Sequence, residues 1–394
     1  MKKRLIGILL ILTVTLGAFS SCLLIDGDSF QIPGADSGGG ENTINVQGGP
    51  NYDINITSNS NVNMLAASKA LLSSVSITTS TSAGSGVIYK LDKEKGDAYI
   101  ITNYHVVYDN NSINSEIYAY LYGMEATEYA IPASYVGGSM NYDIAVLKIS
   151  GSTILMQSNV AAVTVANSND VAILDTAIAI GNPEGKGISA TVGCVNVDSE
   201  NISVGFQVYN RVQYITLRVM RTDAAVNSGN SGGGLFNDKG ELIGIVNAKD
   251  ANTSTDNIGY AIPSNVAKAI AENILYYCDG ATKLNVYRCM LGVEVGIKSL
   301  YTEYDTETGK IHKKETVMLT KVETNGAANG ILKAGDVINS ITIDGIKHEV
   351  SRTYHIIDSM LYARVGSTVV INVTRDSVEK NITIQIVESM LTAY

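Results

Sequence analysis

Tryptophan is absent from this 394-residue sequence, which nevertheless holds 22 tyrosines, and the skew is compositional rather than functional. Basic residues are the scarcer charge: 28 Lys and Arg stand against 38 Asp and Glu, for a formal charge of −10. A nucleic-acid backbone is bound by clustered cations, so no nucleic-acid partner is expected. Cysteines are few, at positions 22, 194, 278 and 289, and show no C-x-x-C or Cys/His ligand spacing. No zinc or other metal site is expected, and no cofactor. Histidine is equally rare, at 105, 312, 348 and 355, which narrows any search for a catalytic base.

What is present describes a globular chain, 45% hydrophobic and 17% charged, long enough for two domains. Residues 1–22 begin Met1-Lys2-Lys3-Arg4, continue with an apolar run over 5–19, and end Ser20-Ser21-Cys22. A basic start, an apolar core and small residues before a cut site make an export signal. Cys22 is the lipidation candidate, as in a bacterial lipobox; the competing reading extends the apolar run through Leu23-Leu24-Ile25 into an uncleaved anchor. Both readings predict an extracytoplasmic, membrane-tethered protein. Residues 23–61, rich in Gly, Ser, Asn and Asp, cannot bury enough apolar area to offset ordering entropy and are expected to be a flexible linker.

A short helix is expected over about residues 64–74, followed by many short β-branched runs at 75–79, 86–89, 98–102, 144–149, 177–180 and 242–246. Strands at this density predict a mainly β barrel or sandwich. After Pro263 a helix is expected, capped by Ser264, with Val266, Ile270 and Ile274 on one face. The boundary falls near residues 279–288. A small α+β module follows, with a strand at 341–343 turning at Asp344-Gly345, a helix patterned on Val350, Tyr354, Ile357 and Leu361, and strands at 369–373 and 382–386.

Between these landmarks lies Thr222-Asp-Ala-Ala-Val-Asn-Ser-Gly-Asn-Ser-Gly-Gly-Gly234. Glycines on both sides of Ser231 let the chain turn sharply and aim amides at a ligand, as an acyl-transfer nucleophile requires, although an isolated Gly-Ser-Gly is more often a plain turn. A serine hydroxyl must give its proton to a neutral imidazole as it attacks. His105 is the one histidine that precedes the second module. Asp143, directly before an apolar strand, fits the acid that orients the imidazole, with Asp109, Asp170 and Asp175 as competitors on sequence alone.

The stretches Ser85-Gly-Val-Ile88, Thr102-Asn-Tyr-His105, Asp143-Ile-Ala-Val-Leu-Lys148, Ala179-Ile-Gly-Asn-Pro183, Thr222 to Gly233 and Gly259-Tyr-Ala-Ile-Pro-Ser264 occur in an order that resembles the HtrA/Deg serine proteases. Ser228 and Gly234 depart from the family, which usually carries proline there. The resemblance implies a trypsin-like double β-barrel over residues 62–279 and a small α+β PDZ domain over 286–390. It implies His105 as general base, Asp143 as orienting acid and Ser231 as nucleophile, with the Gly229 and Ser231 amides as the oxyanion hole. The order His, Asp, Ser is that of the trypsin-like fold. Asn230, neutral where digestive trypsins carry Asp, cannot pair with a freshly cut N-terminus, so switching by reordering of the 227–230 loop is favoured over N-terminal trimming.

By the same resemblance, Val226, Ile245 and Val246 line an apolar substrate pocket, and Asp223 keeps a structural role. Leu291, Gly292 and Val293 look like a PDZ loop whose amides capture a C-terminal carboxylate while the peptide adds a strand. The implied function is an extracytoplasmic serine endopeptidase that cleaves unfolded or damaged envelope proteins under PDZ control, as a homotrimer. A dedicated regulatory protease that cuts one signalling partner, and an inactive peptide-binding scaffold, are the alternatives.

Overall fold

The computed structural model describes residues 62–393, except residues 110, 248–257, 281 and 285. The export signal, Cys22 and the linker lie outside the described residues. The first described element is a helix, Val62–Leu71, within two residues of the expected start. It buries Ala66 and Ala70 and leaves Val62 and Met64 exposed.

Two closed β-barrels follow. The first runs in the order Ser74–Thr79, Ala83–Asp92, Asp97–Thr102, Ile144–Ile149, Ile131–Ser139, Ile117–Leu121. The second runs Ser189–Val208, Arg211–Thr222, Gly259–Pro263, Leu242–Asn247, Gly234–Phe236, Thr176–Gly181. All six strand runs expected from the sequence fall inside these elements.

Their apolar runs are nearly continuous because each strand is covered on both faces. Ile101, Ile144 and Val146 point into a core shared with Ile178, Ile180 and Ile245 of the second barrel. Their neighbours Ile100, Ala145 and Leu147 fill the interior of the first barrel, while Ala177, Ala179 and Val246 fill that of the second. Any functional group at the strand ends between the barrels is therefore held by two packed cores.

The helix Ser264–Tyr277 buries Val266, Ile270 and Ile274 in the shared core, as its periodicity predicts. The expected cap is different. Pro263 occupies the N-cap position, and Ser264 lies inside the first turn, fully buried, where its hydroxyl donates to the Ala166 carbonyl at 2.8 Å. A long-range acceptor has replaced the local one.

The C-terminal module has its own core, including Val317, Leu319, Ile341, Val369 and Ile371. Its sheet is ordered Val293–Tyr304, Ile311–Val322, Val337–Ile343, Thr368–Arg375, Val378–Gln385, with Ile346–Glu349 also paired to Val337–Ile343. Asp344 and Gly345 both take positive φ, 48° and 88°, the two-residue turn that suits a twisted hairpin. The helix Thr353–Met360 buries His355, Ile356, Ser359 and Met360. Of the expected stripe, Val350 and Leu361 are buried just outside the ends of this helix, whereas Ile357 is 46% exposed and lines, with Tyr354, a cleft facing the barrels. Among the described residues no helix is long and apolar enough to cross a membrane.

Candidate active site

The strand Asp97–Thr102 ends at Asn103, and a four-residue helical turn, Tyr104–Val107, carries His105. The histidine thus sits one turn beyond the strand rather than in it. Asp143 is the left-handed residue (φ 49°, ψ 42°) closing the turn Met140–Tyr142 before the strand Ile144–Ile149. Aspartate tolerates this conformation better than most side chains. Because Asp97–Thr102 and Ile144–Ile149 are paired neighbours, both residues emerge at the same end of the first barrel.

His105 Nδ1 lies 2.7 Å from Asp143 Oδ2, and the His105 backbone N–H donates to Asp143 Oδ1 at 3.0 Å. An ionised carboxylate only accepts, so in a neutral imidazole bonded this way Nδ1 carries the proton and Nε2 is left with its lone pair. Asp143 is fully buried, and the Asn247 side-chain amide also donates to its Oδ2, at 2.8 Å. Phe206 covers the imidazole edge-on, with ring centroids 6.5 Å apart. The competing aspartates are engaged elsewhere: Asp170 with Asn167, and Asp175 with Lys310 and the Ala172 amide. Asp109 lies in a two-residue strand paired with Ser112.

The loop that carries Ser231 lies against the segment that leads into His105. The Ser85 amide donates to the Ser231 carbonyl at 2.8 Å, and a Cβ on Gly232 (φ 84°) would meet Ser85 O and Thr102 Oγ1 at 2.3 Å. Gly229 (φ 96°) has the same constraint, since a Cβ there would lie 2.2 Å from the Asn182 carbonyl. Glycine is thus required by backbone crowding at both positions. Ser231 is 6% exposed. Val226 packs against the cluster that holds Val246, whereas Ile245 points the opposite way, into the core between the barrels. Asp223 accepts the Cys194 amide at 2.7 Å, and that bond holds its carboxyl below the usual carboxylate range. Burial pushes the Cys278 and Cys289 thiols up to about 11, which leaves them poor nucleophiles. Among the described residues no His, Cys, Asp and Glu group could hold a metal ion.

In the C-terminal module, Leu291 and Gly292 precede the edge strand Val293–Tyr304. Their carbonyls accept from the Ala328 amide at 3.0 Å and the Glu323 amide at 2.8 Å. In a trans peptide the following N–H points the other way, so the Gly292 and Val293 amides face away from the 323–328 segment. A cleft of about 490 Å³ lies between this module and the barrels, lined among others by Val295, Thr353 and Ile357 on one side and Asn141, Tyr142 and Thr216 on the other. Sequence reasoning missed Ser85, Phe206 and Asn247. Of these, Ser85 alone carried a signal, its place between two glycines in a stretch already noted for its resemblance.

Residues 84–245 match the Trypsin-like peptidase domain family. The chain is 33% identical over 334 residues to the Serine protease Do-like HtrA of Bacillus subtilis, with 82% of this chain and 67% of that protein covered. It is 34% identical over 307 residues to the protein of the same name from Lactococcus lactis, covering 75% and 68%. A solved structure, the HtrA-type protease AlgW with tripeptide, superposes with a TM-score of 0.52 at 27% identity, over 84% of this chain and 97% of that one. With this fold, and with two such relatives covered over two thirds of their length, the chain belongs to the HtrA family of trypsin-like serine endopeptidases.

Proposed function

We propose that this protein is an extracytoplasmic, membrane-tethered endopeptidase that cleaves unfolded or damaged envelope proteins, with His105 as general base, Asp143 as orienting acid and Ser231 as nucleophile. The observation that carries the catalytic part is the buried Asp143 carboxylate, held from three sides, fixing His105 Nδ1 at 2.7 Å. His105 takes the Ser231 proton during attack and returns it to the leaving amine, while Asp143 stabilises the imidazolium. The amides of Gly229 and Ser231 receive the developing oxyanion, and the half-buried Val226, packed on the cluster that holds the buried Val246, gives the substrate pocket an apolar wall. The basic, apolar and small-residue pattern of residues 1–22 supports export and tethering.

The C-terminal module, residues 286–390, is assigned as a PDZ domain that takes C-terminal peptides. The edge strand Val293–Tyr304 offers an unpaired side for strand addition, and the outward-facing amides of Gly292 and Val293 suit a carboxylate. Assembly as a homotrimer through the region around Val62–Leu71 is part of the same reading, supported by the exposed Val62 and Met64.

Cleavage of unfolded casein by wild type and by Ser231→Ala, with and without a peptide ending in apolar residues, tests this reading. Wild type is expected to digest casein faster with the peptide, and Ser231→Ala not at all. Undiminished digestion by Ser231→Ala removes the catalytic assignment, and digestion unaffected by any peptide removes the PDZ control.

A further inference from the structure

An oxyanion hole stabilises charge because its donors already point the right way when substrate arrives. Something outside the loop must therefore fix the peptide planes that carry them. Over residues 228–231 each carbonyl is held. Ser228 O accepts from the Glu184 amide at 2.8 Å, Gly229 O from the Ser85 hydroxyl at 2.7 Å, Asn230 O from the Gly233 amide at 2.9 Å, and Ser231 O from the Ser85 amide at 2.8 Å. The first and third bonds turn the N–H groups of Gly229 and Ser231 to the opposite side, away from Glu184 and Gly233. The plane between these two donors, Gly229 to Asn230, is held at its carbonyl by the Ser85 side chain.

Ser85 is 1% exposed, and its other polar atoms are occupied too. Its hydroxyl accepts the Asn182 amide at 2.8 Å, and its carbonyl accepts the Thr102 hydroxyl at 2.7 Å. Asn182 begins the same loop as Glu184, so one hydroxyl joins the anchor at Gly229 to the anchor at Ser228. We infer that the Ser85 hydroxyl is the positioning group of the oxyanion loop, holding the Gly229 and Ser231 amides ready for the tetrahedral intermediate. The inference rests on Ser231 as nucleophile and on those two amides as donors. Without the hydroxyl, the Gly229–Asn230 plane keeps only the bond from the Asn230 amide to the Asn227 carbonyl at 3.0 Å, a tie within the loop itself, and a glycine at φ 96° has little intrinsic torsional preference to hold the plane in place.

The test is Ser85→Ala, assayed for peptide hydrolysis and for inhibition by a peptide aldehyde, whose adduct with Ser231 places its oxygen in the hole. We expect kcat to fall about 10- to 100-fold with KM within about threefold, and aldehyde affinity to fall by the same factor as kcat/KM. A merely structural role would lower thermal stability without that parallel. In a folded variant, kcat within about twofold of wild type, or a lost kcat with undiminished aldehyde affinity, overturns the inference. If Ser85→Ala does not fold, Ser85→Cys, which keeps the volume and a weaker donor, is read the same way: a smaller parallel loss supports the inference, and a non-parallel or absent loss overturns it. A wild type that resists a serine-directed fluorophosphonate removes the nucleophile assignment itself, whereas a labelled wild type beside a fully active Ser85→Ala removes this inference alone.

Discussion

Asn247 donates its side-chain amide to Asp143 Oδ2 at 2.8 Å, the same oxygen that lies 2.7 Å from His105 Nδ1. A carboxylate sharing one oxygen between two donors is fixed in rotation, and its orientation sets that of the imidazole. Because Asn247 is 1% exposed, water cannot replace it without rearrangement. Asn247→Ala is expected to lower kcat/KM about 10- to 100-fold, by the roughly 1.5–3 kcal/mol of a hydrogen bond to a charged group. Asn247→Asp, which sets a second carboxylate against the first, should cost more. Steady-state kinetics on the folded variants check both, and an unchanged Asn247→Asp would remove this role.

The hairpin Ser189–Val208/Arg211–Thr222 connects His105 to the C-terminal module. Phe206 near its tip packs on His105, while lower down Arg218 pairs with Asp358 and lies 4.0 Å over the Tyr354 ring. Arg352 bonds Asp198 at 2.9 Å and Glu315 at 3.1 Å. The Arg218 and Asp358 side chains are 14% and 15% exposed, so removing one strands the other in a poorly hydrated site. Asp358→Ala should destabilise the docked module by about 3 kcal/mol. Limited proteolysis within residues 279–288 should then proceed faster than in wild type; an unchanged rate would show that this pair does not hold the module in place.

His355 gives the same junction a pH dependence. Burial first, then the nearby Arg218, pushes its imidazole from 6.5 down to about 4, while the Glu349 carbonyl opposes and Arg352 and Lys314 add to the shift. Between these values the unfolded chain binds the proton and the folded chain does not. Stability therefore falls as pH drops from about 6.5 towards 4, by up to about 3 kcal/mol. Denaturant midpoints at pH 7 and 4.5 should differ more for wild type than for His355→Gln. Equal differences would assign the acid sensitivity elsewhere.

The His105–Asp143 pair could be expected from the sequence because chemistry limits the choice: a serine proposed as nucleophile needs a histidine, and His105 alone precedes the second module. The barrel strands were legible because burial on both faces turns them into apolar runs. The hairpin Ser189–Val208/Arg211–Thr222 was not, since much of it is exposed on one or both sides and its apolar residues are interspersed with Asn, Ser, Asp and Arg. Ser264 fits a cap by sequence because capping is a local signal, yet its hydroxyl donates to the Ala166 carbonyl 98 residues away. Ser85 and Asn247 were hidden for the same reason. Their roles depend on Gly229, 144 residues distant, and Asp143, 104 residues distant, and no local pattern encodes such pairs. Of the stripe expected around the helix Thr353–Met360, Tyr354 and Ile357 face the interdomain cleft while Val350 and Leu361 are buried, because periodicity does not say which neighbour an apolar face meets.

The proposed mechanism makes Ser231 a nucleophile activated by the His105–Asp143 pair. Fluorophosphonate labelling followed by peptide mass spectrometry tests it most directly, using wild type, Ser231→Ala and His105→Ala. One modified serine, Ser231, is expected in wild type, none in Ser231→Ala, and strongly slowed labelling in His105→Ala. Labelling that maps to another residue, or that proceeds at the wild-type rate without His105, would contradict it.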